Sequence, residues 1–128
     1  MKKIVVSIGN GLLAEAITRA LGNCGEFRPF RAKVGRDANV VSDCEMMSAD
    51  MLLAEVSYAE GTTIGTCLMK AREVRQKLPD CKIVFLCDEN SAPDIARDVM
   101  QAKKDGLIDN FFYSSVTEKY LIAALTSL

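Results

Sequence analysis

Ala49-Asp50-Met51-Leu52-Leu53-Ala54-Glu55-Val56 is the stretch whose reading decides the fold. From Met51 to Val56 every residue but one is apolar, and the exception is Glu55. A strand with one wet face alternates apolar with polar side chains, whereas a near-continuous apolar run this short belongs to a strand covered on both faces. Lys82-Ile83-Val84-Phe85-Leu86-Cys87 reads the same way. Lys3 to Ser7 is a shorter β-branched run, stopped by Gly9-Asn10-Gly11. Strands of this kind need helices above and below them.

The segments between supply those helices. Leu12, Leu13, Ala16, Ile17, Ala20 and Leu21 recur at helical spacing, with Gly22 and Gly25 closing the run. After Gly61-Thr62-Thr63, a second stripe carries Ile64, Cys67, Leu68, Ala71, Val74 and Leu78. Its outer face, Lys70 to Lys77, reads as solvated charge, and Pro79-Asp80 ends it. Pro93 suits the first turn of a third stripe, Ile95, Ala96, Val99 and Ala102, which Gly106 stops. Phe27 to Val34 reads as an outer strand, Arg36 to Met47 as a polar segment with a short helix, and Phe111 to Tyr113 as a fifth strand. Thr117 to Leu125 is a last helix with Thr117 as its N-terminal cap. Strand and helix therefore alternate five times. This pattern predicts one α/β domain over residues 1–128, with a parallel sheet between two helical layers. In such sheets ligand chemistry belongs at the carboxyl ends of the strands.

Composition narrows the function. With a net charge of −1 and cations interspersed with acids, no basic field exists for a phosphate backbone, so direct nucleic-acid binding is not expected. No apolar run reaches the roughly 18 residues a membrane span requires. Five cysteines, scattered and never in a CxxC pair, suit reduced thiols acting as small buried hydrophobes, and with them a cytoplasmic location. The absence of histidine removes Ser-His and Cys-His nucleophiles and histidine metal ligands.

The order of three motifs resembles the receiver domain of bacterial two-component response regulators. They are Ala49 to Val56, then Leu78-Pro79-Asp80 running into the strand that ends at Cys87, and then Lys104-Asp105-Gly106 leading into Asn110-Phe111-Phe112. The resemblance implies a flavodoxin-like (βα)5 three-layer sandwich with a parallel five-stranded sheet in the order 2-1-3-4-5. It also implies a role in a phosphorelay. The chain departs from the family at nearly every position that carries that chemistry. The phosphoacceptor aspartate falls on Glu55, and the acidic pair that holds Mg²⁺ falls on Ile8 and Gly9. The hydroxyl residue falls on Cys87, the lysine on Tyr113 and the aromatic switch on Asn110.

These departures disable the reaction. Mg²⁺ demands hard oxygen ligands, and Ile8 and Gly9 offer no side-chain oxygen. Without the metal and the lysine, little remains to neutralise a transferring phosphoryl group. Glu55 sets its carboxylate about 1.5 Å further out, and displacements near 1 Å can cost about a hundredfold in rate. The expectation is a non-enzymatic pseudo-receiver without metal or cofactor. Glu55 is read as a partly solvated acid at a strand end, paired with a nearby cation, in preference to a permanent mimic of the phosphorylated state.

Two further sites are weighed. Gly9-Asn10-Gly11-Leu12-Leu13-Ala14 fits G-x-G-x-x-A after a strand and opening a helix, so Gly9 and Gly11 could admit an anion or nucleotide to a helix N-terminus. The second strand, however, ends near Lys33, Val34, Gly35 and Arg36 instead of in an acid for a ribose. Only Arg36, beside Asp37, could meet a 2′-phosphate, and a tight turn needing glycine is the favoured reading. Cys87, with Asp88 and Glu89 beside it, is read as a packing residue and not a reactive thiol. In the family the fourth helix, fifth strand and fifth helix form the usual dimer or partner face. Here that face would carry Asn110, Tyr113 and Tyr120 and would serve a protein partner or self-association. Leu128 follows directly on the last helix, where receivers join an output domain, so a covalently linked output domain is a further expected partner.

Overall fold

A computed structural model describes residues 1–35, 37–90 and 92–128. Five strands, β1 (Lys2–Ser7), β2 (Phe27–Arg31), β3 (Met51–Glu55), β4 (Lys82–Cys87) and β5 (Asn110–Tyr113), alternate with five helices. The helices are α1 (Gly11–Asn23), α2 (Val40–Met47), α3 (Ile64–Lys77), α4 (Pro93–Lys104) and α5 (Glu118–Thr126). All strand pairs are parallel and the sheet order is β2-β1-β3-β4-β5, the order expected from the sequence.

Alternation along the strands splits the core between the two faces of the sheet. Val5, Leu52, Ala54, Ile83 and Phe85 point towards α2, α3 and α4. Ile4, Val6, Met51, Leu53, Val84 and Leu86 point towards α1 and α5. Both sets are almost wholly buried, which is why β3 and β4 read as continuous apolar runs. Side-chain oxygens cap four helices. Asn10 accepts from the Leu13 N–H, Asn39 from Ser42, Thr63 from Thr66 and Thr117 from Tyr120. Each such cap is worth about 1 kcal/mol.

Several expectations need correction. Leu12 and Ala16 do not belong to the buried stripe of α1: Leu12 is 82% exposed, and the stripe runs through Ala14, Ile17, Ala20 and Leu21. Leu12 and Ala16, four residues apart, stand on a flank of the helix turned away from that stripe. Gly22 lies inside α1, and Gly25, at φ +78°, makes the turn beyond it. β2 ends at Arg31, short of Val34. Pro29 is tolerated within β2 because this is an edge strand, with one side free of ladder bonds. The outer face of α3 is not simply solvated. Arg75 donates to Asp109 Oδ2 and to the Gly106 carbonyl, both at 2.8 Å, and Lys77 pairs with Glu45. Near the end of α4, the Lys103 ammonium lies 5.8 Å over the Phe111 ring.

Candidate functional site

The carboxyl ends of β1 and β3 meet at Glu55. Its Oε1 accepts the backbone N–H of Gly9 at 2.9 Å and that of Asn10 at 3.3 Å. Among the described residues no ion pair includes Glu55, and the contacts seen are to backbone donors. The carboxylate finds its counter-charge in backbone donors at the start of α1, where the positive end of the helix dipole favours an anion. The extra carbon of glutamate gives the reach to cross from β3 to the neighbouring loop, and Gly9 leaves room for it. A Cβ placed on Gly9 would stand 3.4 Å from Glu55 Oε1.

This contact floors an open cleft of about 960 Å³. Arg31 and Lys33 line one side, and Glu60, Ser57 and Thr62 line the other. The far wall holds itself together. Ser57 Oγ and the buried Thr62 Oγ1 are 2.6 Å apart, the Ser57 N–H donates to the Thr62 carbonyl, and the Ala59 N–H donates to Ser57 Oγ. Further along the same loop, Tyr58 reaches the start of α4, its hydroxyl donating to Asp94 Oδ2 at 3.0 Å. The Asp94 carboxylate pushes the Tyr58 phenol above its ordinary pKa.

Of the positions picked out by sequence, Ile8, Gly9 and Glu55 do come together in this cleft. The Ile8 side chain is buried among the residues facing α1 and α5, and Gly9 has none. Ile8 and Gly9 thus present no side-chain oxygen, and Glu55 presents a carboxylate with one oxygen engaged by the backbone. A hard divalent ion does not fit this set, and among the described residues no group of three His, Cys, Asp or Glu is placed to hold a metal.

Cys87 and Tyr113 do not line the cleft. They are register partners at the ends of β4 and β5, joined onward by the Ser114 N–H donating to the Cys87 carbonyl. Cys87 is 1% exposed, and burial, with Glu89 and Asp88 nearby, pushes its thiol up to about 11. A thiol held neutral in this way packs as a small hydrophobe. Asn110 opens β5 with its Oδ1 accepting the Phe111 N–H, so the strand aromatic that faces α4 is Phe111, one residue on. Tyr113 stacks edge-on against Phe111, while Tyr120, 63% exposed, stands edge-on to Phe112 across the sheet. Tyr113 and Tyr120 therefore flank the edge strand from opposite faces. Gly11 lies under Arg31, whose Nη2 would be 3.5 Å from an added Cβ. The proposed phosphate partner Arg36 lies outside the described residues.

Sequence reasoning missed Asn10, both cap and donor, and the Ser57–Thr62 clasp. A cap residue directly after a strand was the available signal for the first; nothing in the spacing marks the second.

No family model matches the chain, and no curated protein does. Solved structures do. Chemotaxis protein CheY4 of Vibrio cholerae is 16% identical with a TM-score of 0.76, over 99% of this chain and 98% of its own. The receiver domain of AraT, a response regulator from Geobacillus stearothermophilus, is 16% identical with a TM-score of 0.72, over 98% and 91%. A pilus assembly-related protein from Burkholderia pseudomallei is 18% identical with a TM-score of 0.68, over 99% and 88%. The chain has the fold of response-regulator receiver domains, as its motif order led one to expect.

Proposed function

We propose that this receiver fold is a signalling module that works through protein contacts and not through phosphoryl transfer. One observation carries the reading. Glu55, which the resemblance sets at the place of the phosphoacceptor, holds its Oε1 on the N–H groups of Gly9 and Asn10, and Ile8 and Gly9 bring no side-chain oxygen to the cleft. The chemistry that would make an aspartyl phosphate needs a free carboxylate, a metal and a cation at the leaving charge. The cleft puts a hydrogen-bonded clip where those groups would act. The fold's likeness to response regulators supports a signalling role, and the Burkholderia neighbour shows the same fold in a protein described by pilus assembly.

The contact surface we assign is the α4-β5-α5 face. It offers Tyr113, the exposed ring of Tyr120 and the half-covered Met100 around an edge strand. Regulation through this face would suit either a separate protein or a covalently linked output domain. The rival reading, an anion or nucleotide at Gly9 and Gly11, has less support. A pyrophosphate would have to displace Glu55 from the same backbone donors.

Incubation with acetyl phosphate and Mg²⁺, followed by intact-mass measurement, tests the reading. The protein mass is expected to stay unchanged, and a stable adduct of one phosphoryl group would refute it. Thermal shift with adenine nucleotides, NAD(P) and flavins tests the rival, which would advance if a clear stabilisation vanished in Gly11→Val.

A further inference from the structure

A groove runs between α3 and α4, away from the cleft at Glu55. Two hollows, of about 600 and 290 Å³, share Leu68 and Leu107 and so form one continuous depression. Its floor is apolar and wet: Met69 is 56% exposed and Leu107 48%. Single exposed apolar side chains need no explanation, but a contiguous strip with charged margins marks a contact surface.

The margins differ in sign. On the α3 side stands Arg72, with Arg75 beside it already held by Asp109. On the α4 side stand Asp98 and Asp105. A partner of one charge sign would be attracted by one margin and repelled by the other. A second copy of the same groove, turned half a revolution about an axis along the groove, lays each basic margin on an acidic one. Rotation about the perpendicular in-plane axis would set like charges face to face, so the charges also choose the arrangement. With a formal net charge of −1, whole-molecule repulsion does not oppose pairing.

We infer that the α3–α4 groove is the surface on which two copies of this chain pair, isologously, with their helices side by side across a two-fold axis. The inference goes beyond the contact role proposed above: it adds a second surface and places self-association away from β5 and α5. Its test reads association alone, so a phosphoadduct would overturn the earlier reading and leave this one standing.

Sedimentation velocity from micromolar to millimolar protein should show the wild-type chain passing from monomer towards dimer. Arg72→Glu should raise the dimer dissociation constant by about tenfold or more, because both symmetric contacts become acid against acid. Asp98→Lys with Asp105→Lys should do the same with bases. An equimolar mixture of the two variants should pair as well as the wild type, because each contact in the mixed dimer again joins opposite charges. That restored pairing cannot come from misfolding of either variant. A wild type that stays monomeric throughout, charge reversals without effect, or a mixture that fails to pair would each overturn the inference.

Discussion

Acids clip backbone donors at both ends of the sheet, and the two ends differ in what else holds the acid. Where the strands begin, Asp109 Oδ2 accepts the Ile83 N–H at 2.7 Å and is paired with Arg75, which also holds the Gly106 carbonyl. Asp50 beside it accepts the Lys3 N–H at 2.8 Å. Where the strands finish, Glu55 accepts Gly9 and Asn10 with no cation partner among the described residues. The upper acid does the same work as the lower ones. The lower clip joins three elements through a guanidinium, while the upper one joins two through backbone alone. This difference sets how strongly each should respond to change.

Thiol chemistry gives the largest expected contrast, and it should not distinguish the two ends. Cys81 near the start of β4 and Cys87 at its end are both pushed up to about 11 by burial, as is Cys67, and Cys44 rises to about 12. A rise of that size cuts the reactive thiolate about a hundredfold near pH 8. Native protein should therefore lose one thiol, the half-buried Cys24, to a thiol reagent, and the other four only on unfolding. Fast labelling of Cys87 alone would mark the upper end as chemically open. The linkage follows the same shifts. Neutral thiols favour the fold fully below the ordinary thiol value near 9, and that contribution fades as pH rises towards 11.

Asp109→Ala should cost about 2 kcal/mol in urea denaturation, since it strands the Ile83 N–H and the Arg75 guanidinium together. Both side chains keep some solvent contact, at 30% and 25% exposure, which holds the cost below that of a fully buried pair. Glu55→Ala should cost about 1 kcal/mol, because water can replace the lost acceptor at the exposed Gly9 and Asn10. A larger loss at Glu55 than at Asp109 would invert the comparison. Glu55→Gln keeps an acceptor of the same length and should fall within about 0.5 kcal/mol of wild type.

The alternation of strands and helices was legible because β3 and β4 are buried on both faces and their composition shows it, whereas the sheet order came from the resemblance to receiver domains. The lower clip was not legible. Arg75 and Asp109 are 34 residues apart in sequence and meet only once α3 packs beside the α4–β5 turn. On the helical wheel Arg75 is one more outward charge. Glu55 was found as a position, but its backbone partners were not legible: only the folded loop shows two N–H groups within reach. Leu12 misled for another reason: apolar residues stand on more than one face of α1, and spacing alone does not show which face meets the sheet.

Amide and side-chain NMR on the wild-type chain tests the central claim most directly. With Glu55 clipped to the loop, millimolar Mg²⁺ should leave the Gly9 and Asn10 amide protons and the Glu55 carboxyl carbon in place. A saturable, joint displacement of these resonances by Mg²⁺ would mean the carboxylate is free to bind metal, and the account would be wrong.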